Sequence, residues 1–200
     1  MQKRTSKTQA HPGAKPVVTV EIIEHLSDND LSDLCDVTEY TIQSGGGFGW
    51  VTPPTHQVLE RYWYGVLAVP ERHIIIARID GVICGAVQLV EPSKHNQAQN
   101  FAAQILACFV APWARGHNIG AQLIETSENL ALEKDYSFLN MDIRETQKSA
   151  ITLFEKLGFK RWGENPYYAR VNEDFITGYY YTKQISQTLK PARPYIRLTQ

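Results

Sequence analysis

Nowhere do the 200 residues approach the roughly 20 consecutive apolar positions that a membrane-spanning helix needs. The polar run from Met1 to Pro16 likewise holds no apolar core of a signal peptide. The chain is therefore expected to be cytoplasmic and to bind no membrane. Net charge is equally scarce: 20 Lys and Arg against 21 Asp and Glu leave a formal −1, so no overall field draws in nucleic acid and any anion site must be local. Cysteine is sparse. Cys35, Cys84 and Cys108 are odd in number, far apart and flanked by apolar residues, which suits reduced core thiols and argues against a disulfide frame or a zinc site. His25, His56, His73 and His95 show no metal-ligand spacing, so no metal is expected. No internal repeat is visible.

What is there is ordinary globular material, 43% hydrophobic and 20% charged. We expect one domain over residues 17–186, a polar tail over 1–16 and a loosely ordered tail over 187–200. Val17 to Ile23 is rich in β-branched residues and reads as a strand. Asp28 or Asp30 then caps a helix to about Gln43. The run Ser44 to Trp50 carries four glycines and predicts a flexible, aromatic-bearing loop. Thr55 caps a second helix to about Leu67. His73 to Ile79 and Val82 to Val90 flank Asp80-Gly81, a strong hairpin signal.

Phe101 to Val110 is nearly all apolar and predicts a central strand buried on both faces. Ile119, Leu123, Ile124 and Leu130 then recur at helical spacing. Further strands are expected over Tyr136 to Ile143, Phe159 to Trp162 and Phe175 to Ile185, with a short helix over Lys148 to Leu157 ended by Gly158.

A buried strand delivering a glycine-containing loop to a helix start leaves several backbone N–H groups pointing outward at the positive end of the helix dipole. Gly116 and Gly120 let the backbone approach a diphosphate, and Arg115 adds charge at the rim. Glycine at such a turn also serves simple packing, so the motif alone leaves both readings open.

The run Phe109-Val110-Ala111-Pro112-Trp113-Ala114-Arg115-Gly116-His117-Asn118-Ile119-Gly120-Ala121 resembles the signature loop of the GNAT N-acetyltransferase superfamily. Leu153 to Phe159 resembles its second signature. The Gly45 to Gly49 loop, Gln88-Leu89 and Gly163 to Tyr168 look like the tabtoxin-resistance acetyltransferases within it. The resemblance implies a single-domain α/β (α+β) GNAT-like fold. Its mixed, mostly antiparallel sheet would have six to seven strands and a central V-shaped splay, flanked by about four helices.

It also implies acetyl-CoA as co-substrate. The backbone of Cys108, Phe109 and Val110 would pair with the pantetheine arm, and that of Arg115, Gly116, His117, Asn118, Ile119, Gly120 and Ala121 would hold the diphosphate. Three positions depart from the pattern. Asn118 stands for the motif's central glycine, a tolerable exchange because Asn reaches left-handed backbone angles. Gln147 stands for a frequent Asn and keeps its donor and acceptor groups. Phe154 stands where many relatives place a tyrosine as general acid beside the cofactor sulfur.

Direct transfer in a ternary complex requires a neutral amine, so a group or water must take its proton. The central strand carries no carboxylate, and Gln104 cannot replace one. Asp142, on the neighbouring strand, is the candidate base or a structural hydrogen-bond acceptor. Tyr168 is a candidate substrate binder or proton donor, or a packing ring; His117 could touch a phosphate. Glu91 and Glu145 are expected to be solvated. The acceptor would be an amine-bearing small molecule or a protein amino group, and the chain a monomer or homodimer. Phe154, Asn118 and the missing strand carboxylate motivate a rival reading, a non-catalytic acyl-CoA-binding sensor or interaction module.

Overall fold

Asp80 and Gly81 sit at φ 50° and 87°, the left-handed pair that a tight turn between twisted strands demands. They join β2 (Arg72–Ile79) to β3 (Val82–Val90). β1 (Val18–Ile23) pairs antiparallel with β2. Two 2.9 Å bonds fix its start: the Asp80 amide donates to the Val17 carbonyl, and the Val17 amide donates to the Asp80 carboxylate. The computed structural model describes residues 15–46 and 48–187. The expected tails therefore lie outside the described residues except for Lys15, Pro16 and Gln187.

α1 (Asp28–Gln43) begins one residue after a cap that differs from the expected one. Ser27 Oγ accepts from the Asp30 amide at 3.1 Å and donates to the Asp30 carboxylate at 2.9 Å. Asp30 is thus the reciprocal partner and Ser27 the cap, because a short hydroxyl before the first turn reaches an orphan N–H. α2 (His56–Leu67) follows Thr55, whose side chain makes no cap bond. α1 buries Leu34 and Cys35 and α2 buries Leu59 and Trp63; the Trp63 indole N–H donates to Thr38 Oγ1 at 3.2 Å and ties the two helices together.

β4 (Ala102–Val110), α3 (Ile119–Glu133), β5 (Phe138–Arg144), α4 (Lys148–Lys156), β6 (Lys160–Val171) and β7 (Asp174–Gln184) follow among the described residues. The seven strands form one sheet in the order β1-β2-β3-β4-β5-β7-β6, antiparallel throughout except for β4 beside β5. Seven successive residues of β3 are buried, as a strand covered on both faces must be; α1 and α3 both pack on it. Cys35, Cys84 and Cys108 are all free thiols, and burial pushes them up to about 12, 11 and 12 respectively.

Several expectations are corrected. β4 is not buried on both faces: Gln104 is exposed on the sheet face, and Leu106, Ala107 and Cys108 are only half-buried where the strand beside them turns away. β6 runs on through Val171 instead of stopping near Trp162 and turns into β7 at Asn172-Glu173, both at positive φ. The glycine loop is not free: Phe48 is buried against Phe109, Trp50 and Tyr62.

Glu91 is not simply solvated either. Its carboxylate receives His73 Nε2 at 2.6 Å, Lys134 Nζ at 2.9 Å and the Tyr136 hydroxyl at 3.0 Å, tying the end of β3 to β2, α3 and the approach to β5. Burial alone would raise this acid, but the bonds from Lys134, His73 and Tyr136 outweigh it and hold it at about 2, from an ordinary 4.5. The carboxylate's stabilising contribution is thus complete above its ordinary value and is lost as pH falls from 4.5 toward 2. Glu91→Gln is expected to cost about 1–2 kcal/mol at neutral pH. In urea melts, the gap to wild type should close as pH falls through that window.

Candidate active site

β4 and β5 pair as parallel neighbours only at Ala102↔Phe138, Ala103↔Leu139 and Gln104↔Asn140. Beyond Gln104 they separate. The cause is visible on the other side of β4, where Ala86 faces Phe109 while Gln88 faces Leu106. One extra residue is thereby inserted into β4, and Ala107 takes a left-handed φ of 46° to accommodate it. Gly85 assists: a Cβ there would lie 2.7 Å from the Phe109 carbonyl oxygen, so only glycine lets β3 follow the bulge closely. The split leaves the β5-facing edge of β4 from Ile105 to Val110 unpaired by β5.

Two cavities open on this split. One, of about 440 Å³, is walled by Cys108, Phe109 and Val110, by Arg115, Gly116 and Asn118 to Ala121, and by the start of α4. Gly116 at φ 87° and Asn118 at φ 59° bend the chain into the first turn of α3, whose N–H groups lack intrahelical partners. A Cβ on Gly120 would lie 2.7 Å from Leu153 Cδ2, so glycine also lets α4 approach α3. Arg115 and Lys148 are the charged residues lining this cavity. An unpaired β-edge, free helix-start amides and two cations fit an elongated carrier with a diphosphate.

Within this wall His117 is turned away, with Nδ1 3.2 Å from the Ala114 carbonyl oxygen. Gln147 lines the cavity but donates Nε2 to the Gly45 carbonyl at 2.5 Å. Arg144 donates Nη2 to the carbonyls of Gly46 and Phe48. The β5–α4 corner therefore holds the glycine loop over the split.

The second cavity, of about 490 Å³, lies across the split and is lined by Phe48, Tyr62, Asp142, Arg144, Tyr168 and Arg170, among others. Cys108, Gln147, Ala150 and Phe154 border both cavities. Phe154 is buried and packs edge-on to Phe159 at 5.6 Å, so the shared boundary presents a ring with no proton to give. Tyr168 does not follow a strand. It sits inside β6 where the register jumps between Asn165 and Ala169. Its ring covers Gly178, where a Cβ would lie 2.0 Å from Tyr168 Cγ.

The Tyr168 hydroxyl donates to Asp142 Oδ2, and Gln104 Nε2 donates to Asp142 Oδ1 at 3.4 Å. Burial first, then the Asp142 carboxylate, push the Tyr168 hydroxyl well above the ordinary tyrosine range, with Arg144 opposing. Tyr168 thus keeps its proton at neutral pH. Tyr62 receives Gln88 Nε2 at 2.8 Å, and burial raises its hydroxyl too. Among the described residues, no group of three or more His, Cys, Asp or Glu side chains is placed to hold a metal ion.

Sequence reasoning missed Lys148, Arg144, Tyr62 and Arg170. Lys148 alone left a local trace: a cation in the first turn of a helix opposes the dipole, which an anionic ligand at that end would reverse.

A sheet split beside a bulged strand, with a diphosphate-sized cradle at the following helix, is the architecture of acyl-CoA-dependent acetyltransferases. The model of the acetyltransferase (GNAT) family matches residues 38–159, and the chain belongs to that family. An Azospirillum brasilense relative described as an uncharacterized N-acetyltransferase in the hisH-hisA intergenic region is 50% identical over 131 residues. That match covers 66% of this chain and 78% of the relative. Among solved structures, an N-acetyltransferase from Staphylococcus aureus Mu50 shares the fold with a TM-score of 0.73 at 17% identity, covering 85% of this chain and 99% of that one. A Salmonella typhimurium structure with its cofactor acetyl-CoA superposes with a TM-score of 0.70 at 12% identity, over 88% and 98% of the two chains.

Asn118 tests the cradle. Asn118→Gly should keep the backbone angle and leave CoA affinity unchanged or better. Asn118→Val, whose branched side chain resists positive φ, should weaken it about tenfold or more by calorimetry.

Proposed function

We propose that the protein is an N-acetyltransferase that moves an acetyl group from acetyl-CoA to an amine by direct transfer in a ternary complex. The observation that carries this reading is the meeting of the two cavities at the split. One is built for an anionic carrier, the other holds a carboxylate–hydroxyl pair, and they share the wall formed by Cys108, Gln147, Ala150 and Phe154. The family supplies the acetyl donor, and its fit rests on the free β4 edge, the α3 amides and the pair Arg115 and Lys148.

In this reading the amine enters through the Asp142 cavity as an ammonium ion and gives a proton to Asp142. The neutral nitrogen then attacks the thioester carbonyl carbon. Backbone N–H groups at the Ala107 bulge are candidates to stabilise the negative charge on the carbonyl oxygen. As the C–S bond breaks, the attacking nitrogen gives up its second proton and sulfur leaves with the bonding pair and takes one. Phe154 cannot carry that proton, so water or the Tyr168 hydroxyl relays it from nitrogen to sulfur. With a thiol pKa of about 8.5, releasing unprotonated thiolate near neutral pH costs about 1–2 kcal/mol, a modest handicap rather than a bar. Arg144 and Gln147 act by holding the glycine loop over the reacting groups.

The test is an amine panel with acetyl-CoA, following free thiol and the acetylated product by mass spectrometry. Stabilisation by acetyl-CoA with no turnover on any amine would replace the transferase with a non-catalytic sensor. For an active amine, Asp142→Asn should lower kcat about 10²–10³-fold with CoA affinity intact. Tyr168→Phe should lower it about tenfold.

Gly178→Ala should reproduce the Tyr168→Phe loss, because a methyl group there forces the ring off its seat. A Gly178→Ala protein that melts like wild type and turns over normally would remove Tyr168 from the site.

A further inference from the structure

A third cavity, of about 470 Å³, lies on the sheet face next to the reactive one, over the region where β4 and β5 are still paired. Phe101 and Phe138 meet edge-on at 5.7 Å on one side of it, and Trp162 and Tyr180 lie 5.4 Å apart, tilted by 33°, on the other. Trp162 is 67% exposed and Phe101 44%, and they lie with Phe138 and Tyr180 on one groove rather than as scattered single side chains. Among the described residues, Asp142 is the only charged one lining this groove, and it also lines the reactive cavity. The groove therefore runs directly to the carboxylate that the transfer reading assigns to the amine.

Resting on that reading, we infer that the groove is the subsite for the body of the acceptor, and that the acceptor is an amine carried on a flat apolar body, an arylalkylamine in the simplest form. Two physical features select it. Five aromatic side chains, Tyr181 being the fifth, and no basic one among the described lining residues favour a cation attached to an aromatic or apolar skeleton, through stacking and cation–π attraction. A single carboxylate at the inner end then orients the ammonium toward the split, with Gln104 and Tyr168 each donating to one of its oxygens and fixing its plane. The groove shares no lining residue with the α3 cradle, so acceptor and carrier do not compete for space. A polyamine would find one anion and no second. A small alkylamine would leave the rings wet.

The experiment compares phenethylamine and tryptamine with ethylamine and spermidine as acceptors, for wild type, Trp162→Ala and Trp162→Phe. Trp162 is exposed, so its removal is not expected to unfold the chain, and melting curves verify this. The aryl amines should exceed ethylamine in kcat/KM by about tenfold or more. Trp162→Ala should erase most of that margin through KM, and Trp162→Phe should restore it. Equal use of ethylamine or spermidine, or an aryl preference indifferent to Trp162, overturns the inference while leaving the transferase reading intact.

If no amine turns over, the transfer reading fails and the groove is judged by calorimetry with tryptamine in the presence of CoA. Heat that disappears in Trp162→Ala upholds a binding groove, and no heat in wild type ends it. Sedimentation gives the last arm: wild-type dimers that dissociate in Trp162→Ala would assign the face to a second copy and overturn the proposal.

Discussion

The parting of β4 from β5 after three residue pairs is the constraint on which the rest depends. A parallel pair that continued would bury its N–H and C=O groups in a ladder and leave no edge for a ligand. The extra residue at Ala107 prevents that continuation. It is tolerated because Gly85 lets the neighbouring strand follow and because α3 and α1 cover β3 from both sides. The strain of an alanine at left-handed φ is modest beside the burial that surrounds it. What the sheet gives up in hydrogen bonds becomes the wall shared by two cavities.

Around that opening, polar side chains act mostly as struts. Arg144 and Gln147 spend donors on the carbonyls of the glycine loop rather than pointing freely at a ligand. Phe48 pins the same loop from the apolar side. A segment whose glycines suggest mobility is thus fixed at both flanks by contacts from elements about a hundred residues away. Local composition described the loop's freedom, and distant partners removed it.

This division explains what was readable in advance. Features set by neighbouring residues were legible: the Asp80-Gly81 turn, the stop at Gly158, the helical spacing from Ile119, and the strand-loop-helix order of the cradle. Features set by long-range pairing were not. The extent of β6 past Trp162 was hidden because its turn is Asn172-Glu173 rather than a glycine pair and its pairing with β7 skips between Asn165 and Ala169. The roles of Arg144 and Tyr62 were invisible because neither has a local signature. Asp142 could be singled out as a carboxylate near the splay, but its bond from Tyr168 depends on Gly178. The bracketing of that carboxylate by two cavities depends on the whole sheet.

The irregularity in β6 has an effect at the rim as well as at the centre. β6 is the outermost strand on its side, and outermost strands tempt other chains to zip on. Between Asn165 and Ala169 its pairing with β7 skips, and Pro166 brings no amide hydrogen at all. The same skip that swings an aromatic ring inward over the cavity holding Asp142 also spoils the outer row of donors and acceptors, so a stray polypeptide finds no unbroken template to extend.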